Sequence, residues 1–176
     1  MRELTFKSYL QREMSEQAGI GGKSLYKFAA LSERNARLKD VVILYLSLYV
    51  NDNLKRHILA RFPYLTDGCS RLSNLTADNI DAYLSATDYS EYKTVYENYL
   101  NYKNRIANEN ELKRIMHKRI TELQHQNGIT NYAIYKDLDL NPGNVNAFLK
   151  NKDMGKVSLN TARRILGYIN NKINDQ

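Results

Sequence analysis

"DLNPGNVNAFLKN" runs from Asp139 to Asn151. Four asparagines, a proline and a glycine in thirteen residues give it the composition of a loop. At helical spacing, however, Val145, Phe148 and Leu149 fall on one side, with Leu140 just ahead of them. Asn141 is a favoured N-cap. Pro142 is a favoured first helical residue, because its fixed φ suits that position and its missing N–H is not needed there. The stretch therefore predicts a short helix with an apolar inside and an outside of asparagine.

The flanking sequence supplies what such a helix needs. Upstream, "ITNYAIYKDL" predicts a second short helix with Ile134 and Leu138 inward. Before it, "NG" (Asn127, Gly128) ends a longer helix of about Asn110 to Gln126, with an expected apolar stripe of Leu112, Ile115, Met116, Ile120 and Leu123. Downstream, Ser158 caps "SLNTARRILGYINN", which points Leu159, Ala162, Ile165, Leu166 and Ile169 inward. Two short helices joined by a tight turn and braced on either side constitute a helix-turn-helix.

In order and spacing, "GITNYAIYKDLDLNPGNVNAFLKN…VSLNTARRIL" resembles the Xre-like, phage-repressor family of DNA-binding domains. The matching positions are Gly128, Ile129 and Thr130 before the second helix, Ile134 and Leu138 within it, and Leu140 in the turn. Val145 and Phe148 match the buried positions of the recognition helix, and Ser158, Leu159, Ala162, Ile165 and Leu166 match the bracing helix. The resemblance covers about sixty of the 176 residues. Tyr135 departs from the small residue usual beside the turn, and the recognition helix lacks the arginine or glutamine often used on bases. The resemblance implies a double-stranded DNA partner.

On that footing the asparagines acquire a role. Asparagine donates and accepts together, so it can pair bidentately with adenine. The N-terminal turn of a recognition helix faces base edges, which nominates Gly143, Asn144 and Asn146, with Ala147 available for a thymine methyl. Thr130, Asn131 and Asn141 lie at helix N-termini, where backbone amides favour phosphate oxygens. Lys150, Lys152 and Lys156 follow the helix and are expected to neutralise phosphates. The bland alternative is that the asparagines only cap and solvate a small helix.

Bulk properties agree with an anionic partner without requiring one. The formal charge is +7 and the pI about 9.4; residues 109–176 carry +4 of that charge and residues 1–108 carry +3, so charge does not say which part binds. A single cysteine, Cys69, excludes an internal disulfide framework and fits a reducing cytoplasm. "VVILYLSLYV" (Val41 to Val50) is half the length of a membrane span and reads as a buried helix. Sparse proline and glycine and the absence of strand alternation predict an all-α chain.

In the N-terminal part, helices are expected over about Leu4 to Gln17, Lys23 to Asn35, Ala36 to Val50 and "LKRHILARF" up to Pro63. Another follows from "TADNIDAYLSA", with Thr76 as N-cap. Tyr89, Tyr92, Tyr96, Tyr99 and Tyr102 then form one stripe, read as core packing in preference to a base-stacking surface. The stripe loses phase at "ANENE" (Ala107 to Glu111). The expected organisation is thus a helical domain, 1–107, for oligomerisation or partner binding, and a four-helix helix-turn-helix domain, 108–176. The chain reads as a cytoplasmic, homodimeric transcriptional regulator of repressor type. The rival is an antitoxin-like interaction module that uses the same motif to autoregulate its operon.

No catalytic, cofactor or metal constellation is expected. "GIGGKS" (Gly19 to Ser24) fails as a phosphate-binding loop, because Gln17 stands where the motif needs glycine and a helix precedes it. His57, His117 and His125 lack partners at ligand spacing and read as surface or cap residues. "RIMHKR" (Arg114 to Arg119) reads as a solvated basic face that could also touch phosphate.

Overall fold

In the computed structural model, residues 4–21, 24–66, 73–86 and 90–175 are described, and every regular element among them is helical. Gly22, Lys23, Cys69 and Tyr89, considered above, lie outside the described residues. The elements are α1 (Phe6–Ala18), α2 (Leu25–Ser32), α3 (Ala36–Tyr49), α4 (Asp52–Arg61), a 3-10 turn (Pro63–Leu65), α5 (Ile80–Ala86), α6 (Ser90–Asn127), α7 (Asn131–Asp137), α8 (Pro142–Asn151) and α9 (Leu159–Asn174). Contacts group the residues into two units, 4–101 and 102–175. The division falls inside α6. No helix among the described residues is long and apolar enough to cross a membrane.

The first unit is built on short-range capping and one buried helix. Thr5 and Ser8 satisfy each other's backbone N–H groups as a capping box at the start of α1. Gly19 ends α1 in the left-handed region, φ 63°, which only glycine adopts without cost. Asn35 and Asn51 cap α3 and α4, each accepting at 3.0 Å from the amide three residues on. α3 packs against both α1 and α2 and buries Val41, Val42, Ile43 and Leu44 together. α5 departs from expectation: it begins at Ile80, not after Thr76. The Thr76 N–H donates to Asn79 Oδ1 at 2.7 Å and the Asn79 N–H to the Thr76 carbonyl at 3.3 Å, so a tight turn over 76–79 precedes the helix.

Three tyrosines of the stripe, Tyr92, Tyr96 and Tyr99, lie inside this unit. Tyr92, Tyr96 and Tyr99 are buried; Phe6 sits edge-on to Tyr96 at 5.2 Å, and Tyr9 is 5.6 Å from Tyr99. The core-packing reading of the stripe therefore holds at these three positions.

The second unit surrounds one core drawn from all four of its helical segments: Ile120 of α6, Ile134 of α7, Val145 and Phe148 of α8, and Ala162 and Ile165 of α9. Here the expected stripe of α6 holds at Met116, Ile120 and Leu123, which belong to or pack against this core, and is corrected at Leu112 and Ile115. Leu112 and Ile115 are 44% and 60% exposed, whereas Lys113 and His117 are 7% and 6% exposed. The buried line runs through Lys113, His117, Ile120 and Leu123. It departs from the apolar pattern only at Lys113 and His117, whose polar side chains find backbone carbonyls to bond.

Candidate functional site

The segment from Asn127 to Val157 is fixed by local bonds before any packing. Gly128 is left-handed, φ 64°, and stops α6. Thr130 caps α7, its Oγ1 accepting from the Ala133 N–H at 3.2 Å. The turn closes when Leu140 N–H donates to the Tyr135 carbonyl at 2.9 Å. Asn141 then caps α8, its Oδ1 accepting from the Asn144 N–H at 3.0 Å, and Pro142 is the first helical residue, as its sequence predicts. A Cβ on Gly143 would stand 3.2 Å from that Oδ1, so glycine keeps the cap unhindered.

α8 is two-sided. Val145, Phe148 and Leu149 are buried; Asn141, Gly143, Asn144 and Lys150 are exposed, and Asn146 and Ala147 are half-buried. Proline has no N–H and the Asn144 N–H is taken by the cap, which leaves Gly143 the free amide of the first three helical positions. Lys152 closes the helix in left-handed backbone, φ 56°, and its N–H bonds to the Ala147 carbonyl. The Asp153 N–H goes to the same carbonyl at 3.1 Å. Lys152 and Lys156 are exposed.

Not every nominated side chain is free to meet a ligand. Thr130 and Asn141 spend an oxygen on their caps. Asn131 Nδ2 donates to Asn146 Oδ1 at 3.0 Å, while Asn131 Oδ1 accepts from Gln124 Nε2 at 2.9 Å. These groups line an open recess of about 530 Å³ between the start of α7 and the outer face of α8, with Tyr132, Tyr135 and Lys150 on its wall.

Two bracing contacts escaped sequence reasoning. Lys113 Nζ donates to the carbonyls of Met154 at 2.6 Å and Val157 at 3.3 Å, pinning the loop after α8. His117 Nε2 bonds the Leu149 carbonyl at 3.1 Å, and its ring meets Phe148 edge-on at 5.3 Å. His117 is thus corrected from a surface or cap residue to a buried strut. Next to it, Arg114, Lys118 and Lys152 line one recess of about 370 Å³, so "RIMHKR" contributes two cations beside the C-terminal end of α8. Basic residues spaced along a helix gave no sequence signal for that convergence.

α9 fixes α7 and its turn from the other side. Arg164 Nη2 donates to the Leu138 carbonyl at 3.0 Å, and Tyr168 Oη donates to Asp137 Oδ2 at 2.7 Å, with Lys172 3.6 Å from the same oxygen. The Tyr168 hydrogen bond, followed by the Lys172 and Lys136 charges, holds the Asp137 carboxyl below its ordinary value. Burial, then the Asp137 bond and charge, push the Tyr168 hydroxyl up to about 12. Asp137 is lowered, so its pairing supports the fold fully above 3.8 and is lost as pH falls through the lowered value. Tyr168 is raised, so its pairing is complete below 10.0 and is lost as pH rises to about 12. Tyr168→Phe is expected to move the Asp137 titration, followed by carboxyl-carbon NMR, upward toward 3.8. An unmoved titration would show that the phenol does not set it.

Among the described residues no group of three or more His, Cys, Asp or Glu is placed to hold a metal ion. No family model, curated protein or solved structure matches the chain.

Proposed function

We propose that this chain is a sequence-specific double-stranded DNA-binding transcriptional regulator of repressor type, with α7, the turn at 138–141 and α8 as its helix-turn-helix. The observation that carries the reading is the construction of α8. Its buried side is filled by Val145, Phe148 and Leu149, and its outward side offers a proline, a glycine, asparagines, an alanine and a lysine. A helix of that kind can lie against a groove with its N-terminal turn on base edges. Lys150, Lys152 and Lys156, joined by Arg114 and Lys118, supply cations for phosphates around it.

In this reading the chain acts as a homodimer on half-sites roughly 34 Å apart, because one helix with a few polar contacts reads too short a sequence. The unit of residues 4–101 supplies pairing or binds a protein partner, through a surface other than its buried tyrosines. The chain works in the cytoplasm without a cofactor and catalyses no reaction.

Fluorescence anisotropy of the full chain over a salt series tests the assignment. Asn144→Ala is expected to cost about 1–3 kcal/mol on the selected operator and to leave random duplex bound nearly as before. Lys150→Ala and Lys156→Ala are expected to weaken operator and random duplex alike, each flattening the slope of log affinity against log salt by about one unit. Equal losses on both DNAs for Asn144→Ala would mean that α8 does not read bases.

A further inference from the structure

The side-chain amides of Gln124, Asn131 and Asn146 form a directed chain, and its direction is set by a group that cannot turn round. Gln124 Nε2 donates to the backbone carbonyl of Ile129 at 3.2 Å. An amide's oxygen and nitrogen are told apart by their surroundings, and a backbone carbonyl accepts only, so Gln124 must present its nitrogen there. The same nitrogen reaches Asn131 Oδ1 at 2.9 Å, which turns Asn131 Nδ2 toward Asn146 Oδ1 at 3.0 Å. Reversing any link sets two oxygens or two nitrogens against each other. The end of the chain is therefore Asn146 with its oxygen held inward, toward α7, and its nitrogen left over. Asn146 itself is half-buried and lines the open recess beside α8.

We infer that this chain makes Asn146 a donor-only reader of the duplex edge, which selects guanine over adenine. The inference rests on the DNA-binding reading above and replaces the bidentate pairing with adenine expected from an unconstrained asparagine. Adenine needs an acceptor and a donor presented together; guanine offers N7 and O6, two acceptors side by side. Gln124 and Asn131 are then positioning residues. They touch no base, and they fix which face of Asn146 meets one.

Sequences bound by the full-length chain are selected from random duplex DNA and compared with those bound by Asn146→Ala, which identifies the base pair that Asn146 reads. That position is expected to be guanine, and 7-deazaguanine there is expected to weaken the wild-type chain roughly tenfold and Asn146→Ala no further. Asn131→Asp supplies the decisive arm. Its carboxylate accepts from Gln124 as before but has no proton for Asn146, which must turn its nitrogen inward and its oxygen outward. The added negative charge lowers affinity for every sequence. The preference at that one position is expected to move from guanine to a base that offers a proton, adenine or cytosine, a change that a merely structural role does not produce. A wild-type selection that enriches no sequence overturns the DNA-binding reading and this inference with it. A clear consensus in which the Asn146 position is adenine, or is unmoved by Asn131→Asp, overturns the inference alone.

Discussion

Phe148→Ala is expected to destabilise the second unit by about 3–5 kcal/mol, a large part of what holds a domain of this size together. The ring is 0% exposed and sits among side chains from every helical segment of the unit. Its removal forfeits the transfer of an aromatic side chain from water and leaves a cavity that four helices cannot collapse around. It also strips His117 of its edge-on partner. Urea denaturation of the full chain, followed by probes in residues 102–175, measures the loss. A cost below about 1 kcal/mol would mean that the α8 side chain is not the keystone of this core.

Lys113→Met carries the second large effect, about 2–4 kcal/mol. The methionine occupies most of the lysine's volume but cannot donate to the Met154 and Val157 carbonyls. Each buried acceptor left unsatisfied costs roughly 1–3 kcal/mol, partly offset because an ammonium no longer has to be desolvated. The damage is expected to be local first. Amide exchange should accelerate at 152–157 before it does in α9, and Lys113→Arg should restore part of the protection. Unchanged stability and exchange would show that those carbonyls find other donors.

The same lysine marks where the sequence is legible and where it is not. Capping is local chemistry, so Thr130, Asn141, Pro142 and Ser158 announce the starts of α7, α8 and α9 without knowledge of the rest. The buried faces of α8 and α9 follow from periodicity because their apolar residues meet a common core. α6 obeys the same method at Met116, Ile120 and Leu123 but defeats it at two other positions. Its apolar residues at 112 and 115 point outward, while Lys113 and His117 point in, because two carbonyl-rich segments more than thirty residues later need donors. Such long-range satisfaction of polar groups has no periodic signature.

The candidate site divides along the same line. That α8 would carry asparagines outward is visible in thirteen residues. That Asn146 is tied through Asn131 to Gln124, on another helix, depends on a three-dimensional meeting of amides.

Lys152 has a consequence beyond its charge. It ends α8 in a backbone conformation that glycine adopts freely and a side chain does not. Lys152→Gly would therefore relax the helix end and raise thermal stability, while it deletes a cation from the recess shared with Arg114 and Lys118. Stability and charge pull this position in opposite directions. Variants enriched for heat resistance alone should lose the lysine early. Variants enriched for occupancy of a polyanion should keep it, and keep its backbone strain with it.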